Sequence, residues 1–339
     1  MNKEQERTSQ VSVAYIPQPE GDNLLACRLP SGRGRLRPDW FHYPYARMLI
    51  EDVQNGLMPF ARIRTRKPFS VRLQPADERA VRLIASALPS RYYGSGSHMR
   101  HDLGESLCDF VRECAGTIMY CSEAFFEIVY ILHNDGEATG FRLSHIPGHS
   151  ITRRRGKLSQ ELPPDVARDR SLPQLIELPE SSIIHIQLPD YVRRTFWQMM
   201  DILARASDPG MPEWAMQMNA GPREGPPYDF SQHHCERIKA IAQATKSIGW
   251  DGRRLIYENT VEHYRWQRFL RFEEFKIQLR DEILAGINDA IGRAGQRLGF
   301  NGTLLLEGVP TLPDVERARV GLMGGGLPFK DVVEPFSWL

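Results

Sequence analysis

The feature that most constrains this fold is a stretch of 39 residues, 260–298, that contains no proline. Thr260 is suited to cap a helix at its start, and Gly286 and Gly292 predict a kink within it. A straight helix of this length spans roughly 58 Å, more than the diameter of a small domain. Because the small sheet expected elsewhere in the chain cannot cover its apolar stripe, we expect neighbouring subunits to cover it. The apolar residues at helical spacing are Val261, Tyr264, Phe269, Phe272, Phe275, Leu279, Ile283, Ile287, Ala290, Ala294 and Leu298.

The composition is that of an ordinary globular protein. The 339 residues are 41% hydrophobic and 25% charged with a formal net charge of +1, which argues against a strongly basic nucleic-acid binder. No run of 18 apolar residues is present, so we expect no membrane span, and the polar start MNKEQERTSQ lacks the apolar core of a signal peptide. The five cysteines have no framework spacing, which is typical of a reduced cytosolic protein.

The first 190 residues predict an arm, several helices and a small antiparallel sheet, so the fold class is α+β. Residues 1–39 predict a flexible, solvated arm; a basic arm that docks on a partner or on DNA is the alternative. Segments 150–158 and 174–178 are expected to extend the same sheet as their neighbours, with a loop over 163–173 between them. The predicted helices are 45–57, 77–88 and 98–119, and the strands are 69–74, 125–132, 140–147, 150–158, 174–178 and 181–188.

After residue 190 the pattern is mainly helical. Residues 191–206 and 231–248 carry apolar residues at helical spacing, and they flank a tip rich in proline and glycine, 207–230. A turn with glycines at Gly249 and Gly252 then leads into the long helix. The remaining elements are a strand at 302–308 and a short helix from Pro313 to the glycines at 324–326.

No motif in the sequence predicts an enzyme. His233, His234 and Cys235 are consecutive on a predicted helix, so their side chains point in different directions and cannot all bind one metal ion. The glycine-rich stretches lack the phosphate-binding pattern, and no Gly-x-Ser-x-Gly occurs. We therefore expect no catalytic residue, no metal and no cofactor.

Three arginine clusters remain without a structural explanation. They are RIRTRK at 62–67, RRRGK at 153–157, and the pair Arg253 and Arg254 on the turn between helices. Each alone is typical of a solvated face. Together they indicate contact with a polyanion through charge, which reads no base sequence.

Taken in order, these elements resemble a tailed-bacteriophage portal protein, the head–tail connector family. LCDFVRECAGTIMYCSEAFFEIVYILHNDGEATGFRLSHIP is similar to the family's wing, and YVRRTFWQMMDILARA to its first stem helix. GWDGRRLIYENT resembles the tunnel loop, and the residues after it resemble the long kinked helix. GTLLLEG and the short helix that follows resemble the family's ending.

The resemblance implies a helix-plus-antiparallel-sheet wing, a helical stem, a short clip, a long kinked helix and a small crown, in a ring oligomer. It divides the chain into an arm (1–39), a wing (40–190), a first stem helix (191–206), a clip (207–230), a second stem helix (231–248), a tunnel loop (249–260), a long helix (261–299) and a C-terminal crown or wing segment (300–339).

The function that the resemblance implies is that of a DNA conduit without chemistry of its own. The subunits form a ring, typically a dodecamer, at one capsid vertex; double-stranded DNA passes through it during packaging, retention and ejection. The ring contacts the major capsid protein and docks the terminase, then a head–tail adaptor protein. It belongs to the virion, after assembly in the host cytoplasm.

The same resemblance assigns site residues to two regions. The tunnel residues are expected to be Lys246, Trp250, Arg253 and Arg254, on a turn whose glycines let the backbone bend and move. The clip residues that contact partner proteins are expected to be Trp214, Met216 and Met218.

Two other functions stay open at this point. One is a nucleic-acid-processing enzyme that uses scattered histidines and acids. The other is a non-viral α+β oligomer with a docking function. Rings with a central channel in electron micrographs favour the portal, and compact monomers favour the others.

Overall fold

Helices and antiparallel strands make up this computed structural model of the 339-residue chain, in agreement with the predicted α+β class. The residues that it describes are 9–11, 40–58, 69–88, 102–133, 136–154, 156–162, 164–169, 171, 173–207, 230–253, 261–325, 328, 331–332 and 336.

Three helices form the first part of the core: α1 (Pro44–Gly56), α2 (Glu78–Ala87) and α3 (Leu103–Cys121). The helices α1 and α2 begin within one residue of their predicted positions, and α3 begins five residues later than predicted. Side-chain caps explain two of the starts, because Asp77 accepts hydrogen bonds from the backbone of α2 and Asp102 accepts one from the backbone of α3. The face of α1 that periodicity predicts to be apolar is buried, which confirms that assignment.

A four-stranded antiparallel sheet is built around β3 (Glu123–Leu132). The neighbouring strand β4 (Ala138–Ile146) pairs along one edge of β3. Two short strands share the other edge, namely β1 (Ser9–Val11) opposite the end of β3 and β8 (Ile183–Gln187) opposite its start. The pairing of β8 confirms the prediction that it completes the sheet. The pairing of β1 corrects the prediction of a wholly solvated arm, since residues 9–11 extend β3; the rest of 1–39 lies outside the described residues.

A second, three-stranded sheet corrects the predicted extension of the first. Among the described residues, the strands β5 (Ile151–Arg154), β6 (Lys157–Glu161) and β7 (Leu175–Leu178) pair only with one another. After β4 the chain passes through Pro147 and a 3-10 turn, Gly148–Ser150, before β5 begins. The segment between β6 and β7, predicted as a loop, contains the short helix α4 (Pro164–Asp169).

The helices predicted over 191–206 and 231–248 are present in shortened form. The first consists of α5 (Asp190–Arg193) and α6 (Phe196–Ala206), which are separated at Thr195. The Thr195 hydroxyl lies 3.4 Å from the carbonyl oxygen of Val192, and this local hydrogen bond competes with a continuous helix. The second is α7 (Phe230–Ala244), which packs on α6 and is followed by turns over 245–249.

The long helix is confirmed as α8 (Glu262–Leu298), an unbroken helix of 37 residues. At the usual rise it is about 55 Å long. The two interior glycines do not interrupt it. A side chain at Gly286 would meet Ile186 at 2.8 Å, so this glycine lets α8 lie close against β8.

The expectation that neighbouring subunits cover the stripe of α8 is wrong from Phe275 to Leu298, whereas Val261 and Tyr264 at its start are 77% and 43% exposed. Phe275, Leu279, Ile283 and Ile287 are 0–1% exposed within this single chain. The stripe packs against α3, β4 and β8 on one side. A separate apolar cluster covers the other side, where α8 meets α9 (Leu312–Met323). The chain therefore covers its own long helix, because elements from both ends of the sequence pack around it.

The C-terminal strand β9 (Thr303–Glu307) pairs with β2 (Ser70–Gln74). Both strands were predicted, but their pairing was not. Leu73 lies opposite Leu304, and both side chains are buried. The strand pair therefore joins the predicted wing to the C-terminal segment.

The cysteines depart in part from the reduced state expected of them. Cys108 and Cys114 are free and buried, and burial raises the pKa of Cys108 to about 12, so both act as small apolar side chains. Cys121 is disulfide-bonded, which corrects the expectation for that residue. None of the helices in the described part of the chain has both the length and the apolarity to cross a bilayer.

Candidate functional site

The predicted site is the turn between α7 and α8, and α8 holds it in place. The guanidinium of Arg268 donates hydrogen bonds to the Ala242 carbonyl, to the Thr245 hydroxyl and to the Trp250 carbonyl. One turn further along α8, Arg271 donates to the carbonyl of Lys246 at 2.9 Å. Two cations thus cap carbonyl groups at the C-terminal end of α7, where the helix dipole favours positive charge.

Arg268 is buried without a carboxylate partner. Its side chain is 1% exposed, and all its acceptors are neutral oxygens. Its Nε atom has no hydrogen-bond partner among the described residues. Because an isolated buried charge is costly, the carbonyl dipoles at the end of α7 must supply most of the compensation. Loss of Arg268 would leave those carbonyls unsatisfied.

Gly249 is required by the geometry of the turn. Its φ is +77°, in the left-handed region. A Cβ atom at this position would lie 2.8 Å from the Arg271 Cβ and 2.9 Å from the Phe272 nitrogen, and nearer still to the Arg268 carbonyl oxygen. The chain therefore bends at Gly249 as expected, and the close contact between the turn and α8 is a second reason for a glycine there. Movement of the turn stays a prediction.

Trp250 is placed in the core, which corrects its assignment to the surface of a channel. The side chain is 0% exposed. Its indole Nε1 donates a hydrogen bond of 2.9 Å to Asp52 on α1. A tryptophan next to two glycines resembles an exposed loop residue in the sequence, but here the ring anchors the turn to α1.

Arg253 lies at the surface of the turn and is neutralised by two acids of α1. Its side chain is 46% exposed, and it donates to Asp52 at 2.8 Å and to Glu51 at 3.1 Å. Glu51 also accepts a hydrogen bond from Arg47. Arg47 in the first place, and Arg253 after it, hold the pKa of Glu51 below its usual value against the opposing effect of burial. The charge of Arg253 is therefore largely balanced within the chain.

Lys246 is the predicted tunnel residue that offers an exposed positive charge. It lies at the rim of a cleft of about 660 Å³ between α6 and α7, beside Arg271. No carboxylate of the described residues pairs with it. Whether Lys246 and Arg253 contact DNA stays a prediction.

The other predicted site residues lie outside the described part of the chain. These are Arg254 on the turn and Trp214, Met216 and Met218 in the clip. Near the start of α7, Cys235 is exposed and free, and no group of three metal-ligating side chains exists within the described ranges.

Three residues that organise the turn were not identified from the sequence. Arg268 did carry a signal, because position 268 falls between Tyr264 and Phe272 on the apolar stripe of the long helix, where an arginine needs a buried acceptor. Arg271 carried no such signal. Asp52 carried none. It lies 198 residues before Trp250, and nothing local to either residue marks the pair.

Comparisons with known proteins give little beyond this geometry. No family model matches the chain, and no curated protein matches it. Among solved structures, the chain is similar to a chain in a structure described as the neck of a native GTA particle computed with C12 symmetry. The sequence identity is 12%, the TM-score is 0.40, and the match covers 87% of this chain and 89% of that chain. A likeness of that TM-score carries no conclusion about fold or role.

Proposed function

We propose that this chain is the subunit of a phage portal: a ring at one capsid vertex that conducts DNA and performs no chemistry. The observation that supports the proposal is the order of the elements. A helix–strand–strand unit (α3, β3, β4) leads through β8 to the helix pair α6 and α7, and a turn then enters the unbroken α8. A strand and a short helix follow it. This is the order on which the resemblance to the family depends.

The stripe of α8 is covered within the chain from Phe275 onward, so that part of it is not the surface for subunit contact. A different apolar face is exposed on α9, where Val320 is 58% and Met323 is 65% exposed, with Leu312 on the same side of the helix. At the start of α8, Val261 is also exposed. Apolar side chains left in water on two adjoining helices are typical of association surfaces.

The charge pattern suits a channel that does not bind the passing DNA tightly. The chain has a formal net charge of +1, and Arg253 is balanced by acids. The terminase, the head–tail adaptor and the major capsid protein are the partners that this role requires.

Electron microscopy of the purified full chain tests the proposal directly. Closed rings with a central channel are expected, and Val320→Asp together with Met323→Asp should reduce them without unfolding the subunit, because both side chains are exposed. Compact monomers at every protein concentration would contradict the portal assignment. Metal-dependent nuclease activity in the same preparation would instead favour a nucleic-acid-processing enzyme.

A further inference from the structure

A cleft between α6 and α7 combines an apolar floor with a cationic rim. The floor is formed by Met199 and Ile202 of α6 and by Ala240 and Ala244 of α7. Met199 is almost fully buried beneath it. The volume of about 660 Å³ falls within the usual range of ligand-binding clefts, which is about 300–1,000 Å³.

The rim carries two positive charges and no negative one. Lys246 and Arg271 line the cleft, and no acidic residue does. Arg271 donates to a backbone carbonyl, and neither cation forms an ion pair with a carboxylate of the described residues. Elsewhere on the surface, Arg253, for example, is matched by nearby acids.

A third cation adds to the excess of positive charge around the cleft. Arg268 lies behind the rim and is also satisfied by neutral oxygens alone. Three cations therefore cluster at the end of α7 against carbonyl dipoles, which offset only part of their charge. The cleft presents a positive potential to any partner that approaches it.

We propose that this cleft docks an acidic amphipathic segment of a partner protein. An aliphatic side chain of the partner occupies the floor over Met199, and flanking carboxylates pair with Lys246 and Arg271. The floor favours such a segment over DNA. The phosphates and sugars of DNA bind through charge and have no aliphatic group to bury in an apolar pocket. The docking site stands independently of the portal assignment, since it requires neither a ring nor a channel.

Binding of a short synthetic helix of leucine and glutamate to the full chain tests the proposal. The matched control peptide carries glutamine in place of each glutamate. Methyl NMR of the methionines is expected to show a shift at Met199 with the acidic peptide, and fluorescence anisotropy should show binding at least about tenfold weaker for the control.

Variants on α7 separate the rim from general surface charge. Lys246→Ala is expected to lower the affinity for the acidic peptide by roughly threefold to tenfold. Ala240→Phe should fill the apolar floor of the cleft and block binding of the peptide. Lys239→Ala removes an exposed charge of the same helix that does not line the cleft, and it should leave binding unchanged.

Several outcomes would overturn this docking site. They are equal binding of the two peptides, the absence of a Met199 shift, or no effect of Lys246→Ala. If a short DNA duplex binds the chain, if Lys246→Ala weakens that binding, and if the acidic peptide does not bind, the cleft is a nucleic-acid site instead. Monomers in electron micrographs would contradict the portal and leave these measurements unaffected.

Discussion

Replacing Gly249 by alanine tests whether the turn is held against α8 or free to move. The left-handed backbone costs a residue with a Cβ atom roughly 1–2 kcal/mol. The added methyl group also lies closer than van der Waals contact to the backbone of α8, and overpacking of this kind typically costs about 1–3 kcal/mol. The free energy of unfolding of Gly249→Ala should therefore fall by about 2–5 kcal/mol.

Gly292→Ala is the matched control, because Gly292 is an exposed glycine within α8 and a Cβ atom there meets nothing within 4 Å. The free energy of unfolding of Gly292→Ala should rise by roughly 0.5–1 kcal/mol, because alanine has the higher helix propensity. Urea unfolding followed by far-UV circular dichroism measures both variants, with midpoints compared at equal slope. If Gly249→Ala unfolds within about 0.5 kcal/mol of the parent chain, the close contact with α8 does not matter and the reasoning fails.

Three further changes test other parts of the fold. Leu279→Ala should lower the free energy of unfolding by about 2–5 kcal/mol, whereas Val320→Ala at an exposed position should change it by less than about 0.5 kcal/mol; similar losses in urea unfolding would contradict the burial of α8. Trp250→Phe removes an indole donor to a carboxylate of α1 and should cost about 1–3 kcal/mol in the same assay; unchanged stability would refute the anchor. Burial raises the pKa of Glu123, but the hydrogen bond and charge of His185 outweigh it and leave that pKa below its usual value. The carboxylate therefore stabilises the fold above its unfolded pKa and loses this contribution as pH falls through the lower folded pKa. Glu123→Gln should therefore reduce the loss of stability as pH falls below the usual carboxyl pKa of 4.5, and an unaltered loss would refute the pairing.

Periodicity identified the elements but not what covers them. The apolar positions of α1 and α8 repeat every three or four residues, and both helices appear where that repeat predicts them. The same repeat predicts that Leu279 is buried, but it does not indicate whether a neighbouring subunit or the chain itself buries the side chain. Pairing has the same limit, because no property of residues 151–154 distinguishes a strand that joins the first sheet from one that begins a second.

The site was harder to predict than the fold because its contacts are distant in sequence. The turn was located correctly from its two glycines. The side-chain roles of Trp250 and Arg253 depend on α1, about two hundred residues earlier, and one sequence read by itself carries no sign of that contact. Local reasoning therefore assigned both side chains to solvent, and for Trp250 the structure places the ring inside.

The β2–β9 ladder has a consequence for the order of events on the ribosome. Ser70 and Glu307 are joined by a hydrogen bond across 237 residues. The edge of β2 that pairs with β9 therefore stays unpaired until synthesis has passed Glu307. An unpaired strand edge is a site at which nascent chains aggregate. A polypeptide released before that point keeps this edge permanently open, so premature termination should yield insoluble material rather than a smaller folded protein.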